Sequence, residues 1–212
     1  RIQVKQETST RKVVGTMKIE IRADGAHISG YVNVTGKKSR PVITPRGKVI
    51  EIIEERAFEK ALERAGNINV TVDHDNTHVY ASTEDGTLNL YEDAIGLHAD
   101  VLIKDENLIN LAKQGKIKGW SFGMYNVVDE IEDRAGDLPI RHVKSLDLDH
   151  LTLVVNKQPV YSATSVELRA NGNVEIEERA SEQAVKVVIE TPQKSIDYSE
   201  FEKRISSLKV GK

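Results

Sequence analysis

The segment IRHVKSLDLDHLTLVV, Ile140 to Val155, constrains the fold more than any other part of the chain. Read as an extended strand, Leu146, Leu148, His150, Thr152 and Val154 share one face, and Leu151, Leu153 and Val155 share the other. Beyond Asp149 both faces are apolar, so the strand belongs at the centre of a sheet, covered on both sides. A histidine in such a strand is partly buried and must have a hydrogen-bond partner. A backbone carbonyl would satisfy it, and so would a second imidazole.

The remaining pattern is many short strands with a few helices between them. Val13 to Ile21 and Ile28 to Val34 are β-rich runs around Ala23–Ala26, which predicts a hairpin. Residues 35–48, with two glycines and two prolines, read as a loop. EERAFEKALERAG reads as a helix with Phe58, Ala61, Leu62 and Ala65 in one stripe, and Gly66 stands where a left-handed cap is expected. NINVTVDHD returns to alternation, and TLNLYEDAIGLHADVLI holds two strands around a polar turn. DENLINLAKQGK is a short helix, with Asp105 as N-cap and Gly115 at its end. Residues 129–139 read as an Asp/Glu/Gly/Pro-rich loop.

The helices are inserted rather than alternating with strands. The expected class is α+β: a small β-barrel of mostly antiparallel strands with a few flanking helices. The composition shifts near Leu168. The expected organisation is a flexible N-terminal segment at 1–12, one domain at 13–169, and a C-terminal appendage at 170–212. The appendage holds one strand-like piece, AVKVVI, and a short amphipathic helix. Ser199 and Glu202 fit a capping box there, and Phe201, Ile205 and Leu208 form the stripe.

Composition excludes several functions. Lys+Arg number 30 against 33 Asp+Glu, without a basic block, so nothing points to nucleic acid. There are no cysteines, hence no disulfide, thiolate metal site or cysteine nucleophile. No apolar run approaches the roughly 18 residues of a membrane span. No signal peptide is recognisable, although Arg1 leaves open that an upstream segment has been removed.

Three places stand out as carriers of chemistry. In TVDHDNTH, His74 lies at a strand end between two carboxylates, where it can act as a general base. The same letters, Asp73, His74, Asp75 and His78, offer nitrogen and oxygen ligands for a metal, and they also suit a plain polar turn. In KGWSFGMYNV, Trp120, Phe122 and Met124 point one way as core anchors, while Ser121 and Gly123 point the other and leave room above the strand. That face could mount a nucleophile or mark a bulge. The third place is His150. Each of His74, Ser121 and His150 lies in or at the end of a predicted strand, so one sheet can bring them together.

These motifs, in this order, resemble the prohead (capsid maturation) proteases of tailed bacteriophages, which share the herpesvirus assemblin type of fold. ISGYVNV resembles the first strand, and Glu55–Phe58 resembles the Gly-Ala-Phe-like helix start. TVDHD resembles an Asn-His-Asp motif, with Asp73 in the Asn position. EDAIGLHADVLI resembles the acidic-x-x-Gly-Leu segment, IKGWSFGM the Ser-Phe-Gly nucleophile motif, and LDHLTLVVNKQPVY the closing strand. The likeness runs from about Ile28 to about Tyr161.

The resemblance implies a serine endopeptidase with His74 as base, Ser121 as nucleophile and His150 as third member. It needs no cofactor or metal. Phage members often carry a carboxylate at the third position; Asp149 is adjacent but points to the other face of a regular strand. Lys157 is a weak candidate for the oxyanion site. The implied partners are the major capsid protein, scaffold segments and the chain itself through autoproteolysis, with a homo-oligomer as a further expectation and neither nucleic acid nor membrane. The implied location is the bacterial host cytoplasm, inside the assembling procapsid. The alternative is a non-catalytic assembly factor with the same fold.

Overall fold

The computed structural model describes residues 16–156, 166–168, 175–190 and 204. The expected C-terminal helix around 199–208, apart from Arg204, and Lys157 lie outside them.

Thirteen strands and two helices follow one another among these residues: β1 (Thr16–Arg22), β2 (Gly25–Val34), β3 (Pro41–Thr44), β4 (Gly47–Ile53), α1 (Ala57–Arg64), β5 (Asn69–Val72), β6 (Ala81–Ser82), β7 (Leu88–Glu92), β8 (Gly96–Ile103), α2 (Glu106–Lys113), β9 (Gly119–Glu132), β10 (Ile140–Val154), β11 (Val166–Leu168), β12 (Glu175–Glu182) and β13 (Ala184–Ile189). They form two sheets. One has the order β13-β1-β2-β8-β7; the other runs β11-β12-β9-β10-β4-β3, with β5 added to β10 and β6 to β5.

β10 takes the central place that its two apolar faces require. It pairs antiparallel with β9 on one edge. On the other it pairs parallel with β4 over Ile140–Val143 and with β5 over His150–Leu153. Both sheets contribute to one apolar core, with Met17, Ile19, Ile28, Leu97 and Ile103 from the first and Trp120, Phe122, Met124, Leu151 and Leu153 from the second. Phe58 on α1 packs edge-on against Phe122 at 5.4 Å, which fixes the helix over β9.

The chain is mostly strand with two helices, as an α+β reading requires. The described ladders do not close into a barrel. β12 belongs to one sheet and β13 to the other, so near Gln183 the sheets are joined by covalent chain rather than by a hydrogen-bonded ladder. The stretch expected as an appendage therefore supplies strands to both sheets.

Local expectations fare unevenly. The hairpin turn at Ala23–Asp24 and the α2 cap are present, the latter with Leu108 N–H donating to Asp105 Oδ1 at 2.8 Å. Residues 35–48 are not all loop. Pro41–Thr44 pairs with the chain from Gly47 onward, and Pro41 is tolerated because it opens an edge strand. Gly66 is not a left-handed cap: α1 ends at Arg64 and Ala65 is already extended. Its start is capped from elsewhere, since both oxygens of Glu92 on β7 accept from the N–H groups of Arg56 and Glu59. The acidic loop after β9 is shorter than expected, because β9 runs to Glu132.

A largely buried ionic cluster joins β4, β9, β10 and β12. Arg141 donates to Glu51 at 3.0 Å, to both oxygens of Glu177 at 2.6 and 2.7 Å, and to Asp129. Arg179 donates to Glu51 at 2.6 and 2.8 Å and to Glu177. Arg46 also binds Asp129. The group holds three guanidinium groups against three carboxylates, and Glu51, Arg141, Glu177 and Arg179 are buried. Burial pushes the Glu177 carboxyl up, but Arg141 and Arg179 more than reverse this and hold it below its ordinary 4.5. Asp129 is likewise held below 3.8, with Arg46 and Arg141 offsetting its burial.

Two outcomes follow from this cluster. Arg141→Ala leaves the buried carboxylates of Glu51 and Glu177 to share the single Arg179 guanidinium and lowers unfolding free energy by about 3–5 kcal/mol in a denaturant titration. Because the folded-state carboxyl values are depressed, their stabilisation is complete above the unfolded values and is lost as pH falls through the folded ones. Denaturation midpoints measured against pH therefore decline below pH ~4.

Candidate active site

Ser121 and His150 lie on adjacent strands. In the β9–β10 ladder Thr152 pairs with Ser121 and His150 with Gly123. Side chains of directly opposed residues share a face, so Ser121 and His150 point the same way from neighbouring rungs. Trp120, Phe122 and Met124 are buried on the other face, as core anchors.

Gly123 makes room for the histidine. A Cβ there would stand 2.7 Å from His150 Cε1 and 2.9 Å from Nδ1. No side chain fits at that distance, so the ring occupies the space that the missing side chain leaves.

His74 enters from the turn after β5. Asp73 and His74 both adopt left-handed backbone conformations, φ 49° and 61°, which ends the strand and turns the imidazole back over the sheet. Neither residue is glycine, so the turn is held from outside. Asp73 accepts from Val155 N–H at 2.8 Å and Asn156 N–H at 2.9 Å, and His74 N–H donates to Thr152 Oγ1 at 3.0 Å. Asp73 therefore clips the turn to the end of β10.

The three side chains form one hydrogen-bonded line. Ser121 Oγ lies 2.8 Å from His74 Nε2, and His74 Nδ1 lies 2.8 Å from His150 Nε2. The line continues, because His150 Nδ1 meets Asp149 Oδ2 at 2.7 Å. Asp149 was expected on the opposite face of a regular strand. A register irregularity between Leu148 and His150 breaks the alternation there, and the neighbouring carboxylate reaches the ring.

The terminal carboxylate sets the direction of every proton. An ionised Asp149 only accepts, so His150 carries its proton on Nδ1 and presents Nε2 as acceptor. His74 then donates from Nδ1, and its bare Nε2 accepts from the Ser121 hydroxyl. With both rings neutral, no donor faces a donor.

Two contacts that sequence reasoning did not foresee come from β12. Ser121 Oγ is 2.9 Å from the carbonyl oxygen of Arg179, and Glu178 Oε1 is 3.2 Å from His74 Nδ1. Ser121 is only 1% exposed. The signal for Glu178 was hidden in a run of charge that reads as surface.

The other residues of the possible metal motif do not gather. Asp73 holds backbone amides, Asp75 accepts from Thr77, and His78 is exposed and lies on Tyr80 at 4.4 Å. Among the described residues no group of three or more His, Cys, Asp or Glu could hold a metal ion.

Residues 13–179 match the model of the caudovirus prohead serine protease family. The chain belongs to that family. The matched span holds His74, Ser121, Asp149 and His150, and it ends within β12. No curated protein and no solved structure matches the chain. Membership makes this a capsid maturation protease by family, so a serine in reach of an imidazole is the feature to be weighed.

Gly123→Ala tests the packing that seats His150. The added methyl costs about 1–3 kcal/mol in a denaturation experiment and displaces the ring. The displacement is read by NMR as loss of the downfield imidazole N–H signal from the His74–His150 hydrogen bond.

Proposed function

We propose that the protein is a serine endopeptidase of phage head maturation that cuts scaffold and capsid proteins, and itself, within the procapsid. Ser121 is the nucleophile and His74 the base. His150, backed by Asp149, orients His74. The observation that carries this reading is the continuous line from Ser121 Oγ through His74 to His150, with 2.8 Å at each step.

The chemistry follows from the proton directions. Ser121 Oγ attacks the scissile carbonyl carbon while His74 Nε2 takes the hydroxyl proton. His74 is then an imidazolium, and it keeps its Nδ1 proton on His150 Nε2. A neutral ring stabilises that cation less than a carboxylate would. Asp149 offsets part of the difference by drawing on the Nδ1 proton of His150, which makes Nε2 a stronger acceptor. His74 next protonates the leaving amine, and water enters to hydrolyse the ester by the same steps in reverse.

One observation favours the second reading, a non-catalytic assembly factor: the proposed nucleophile is covered by β12 and sealed from solvent.

Ser121→Ala decides between the two. Cleavage of scaffold and capsid proteins, followed by gel analysis of assembling heads, stops in this variant while assembly of uncleaved shells continues; unchanged cleavage would sink the protease reading. His74→Ala lowers the rate about 10²–10⁴-fold.

A further inference from the structure

β12 lies on the nucleophile strand as an antiparallel partner, with Glu178 opposite Gly123, Arg179 opposite Phe122 and Ala180 opposite Ser121. Its backbone approaches closely: a Cβ on Gly119 would stand 2.5 Å from the Ser181 carbonyl oxygen. Extended peptides commonly bind proteins by adding a strand to a sheet edge in this way. Here the added strand sets the carbonyl oxygen of Arg179 2.9 Å from Ser121 Oγ, in hydrogen-bond contact with it. The serine has one proton, which the line of imidazoles already directs to His74.

The side chain of Arg179 is read as closely as its carbonyl. Its Nε and Nη2 meet the two oxygens of Glu51 at 2.6 and 2.8 Å, a fork-on-carboxylate geometry that lysine cannot reproduce. Glu51 belongs to β4 and is 3% exposed, so it forms a recess that fits a guanidinium. Ala180, which follows the carbonyl, is exposed and borders a cleft of about 410 Å³ that Glu51 lines together with Val32, Asn33, Lys38 and Gln183. A buried arginine thus precedes the carbonyl, and an open cleft follows it.

We propose that Glu175–Ala180 lies in the groove where peptide substrates bind, that Ser121 cuts the Arg179–Ala180 bond of its own chain, and that Glu51 selects arginine on the acyl side of the cut. This rests on the serine protease reading above. In the step, Ser121 Oγ bonds to the Arg179 carbonyl carbon and its proton passes to His74. The C–N bond to Ala180 breaks and the new amine takes that proton. Water then releases Arg179 as a carboxylate. Until the cut, β12 keeps other peptides from the nucleophile, which accounts for the burial of Ser121.

The test uses the full chain, purified and incubated alone, with fragments identified by intact mass and N-terminal sequencing. The expected products are one fragment ending at Arg179 and one beginning at Ala180. They form with a first-order rate that does not depend on protein concentration, and they are absent in Ser121→Ala, a substitution small enough to leave the fold intact. Arg179→Lys keeps the charge but loses the fork, and slows the cut by about tenfold or more. An intact wild-type chain, cutting only at other bonds, or a rate that rises with concentration overturns the proposal; Arg179→Lys cut at the wild-type rate overturns the role of Glu51. Diisopropyl fluorophosphate separates the serine-protease role of Ser121 from the cut at Arg179, with Arg179→Lys included because its β12 is held less firmly. Modification of Ser121 in a chain that is never cut at Arg179 leaves the protease reading standing without this proposal. A folded chain that is neither cut nor modified fails both.

Discussion

β10 is the strand on which the architecture depends. Its apolar side chains point both ways, and burying both faces requires a neighbour on each edge and a layer on each side. β9 fills one edge with Ser121. β5 fills the other and ends in the turn that carries His74. His150 and Asp149 lie on β10 itself. The requirement to cover one strand thus delivers every member of the hydrogen-bonded line to the same few rungs of a ladder. Loops contribute only the turn at Asp73 and His74, and that turn is fastened by hydrogen bonds from the two amides that follow β10, those of Val155 and Asn156.

The second organising element is the charge cluster around Arg141. A single ion pair on the surface contributes little, and a buried one often fails to repay its desolvation. Here the cluster ties four strands through oriented forks, so its main consequence is geometric. It allows only one placement of β12 along β9, the one that sets Arg179 over Glu51. Slipping by one residue would turn Glu177 and Arg179 to the opposite face. The contact between β12 and Ser121 is thereby specified by charged side-chain groups rather than by the Ser121 contact itself.

Much of this was legible in the sequence. The apolar alternation of Ile140–Val155 marked a central strand, the large/small alternation of Trp120–Met124 separated a core face from an open one, and Asp105 marked a helix start. The unreadable parts have physical causes. Asp149 is brought to His150 by a bulge, and a bulge defeats any argument from strict alternation. Glu92 caps α1 from a distant strand, which no local pattern encodes. EIEERASE reads as solvated surface because charges are usually exposed; Glu177 and Arg179 within it are buried because they meet opposite charges on β4 and β10. Pro41 and two glycines in 35–48 disguised an edge hairpin as a loop.

The line from Ser121 to Asp149 contains a single moving part. Ser121, Asp149 and His150 are fixed by one ladder, so they open together only when the sheet opens. His74 alone sits outside the ladder, on a turn held by a few hydrogen bonds and strained at two residues. Amide exchange should then divide the site sharply, with the strands protected almost to the global limit and the amides around His74 exchanging through local opening. On that division a short turn lifts and reseats while the sheet serves as the fixed frame against which it closes.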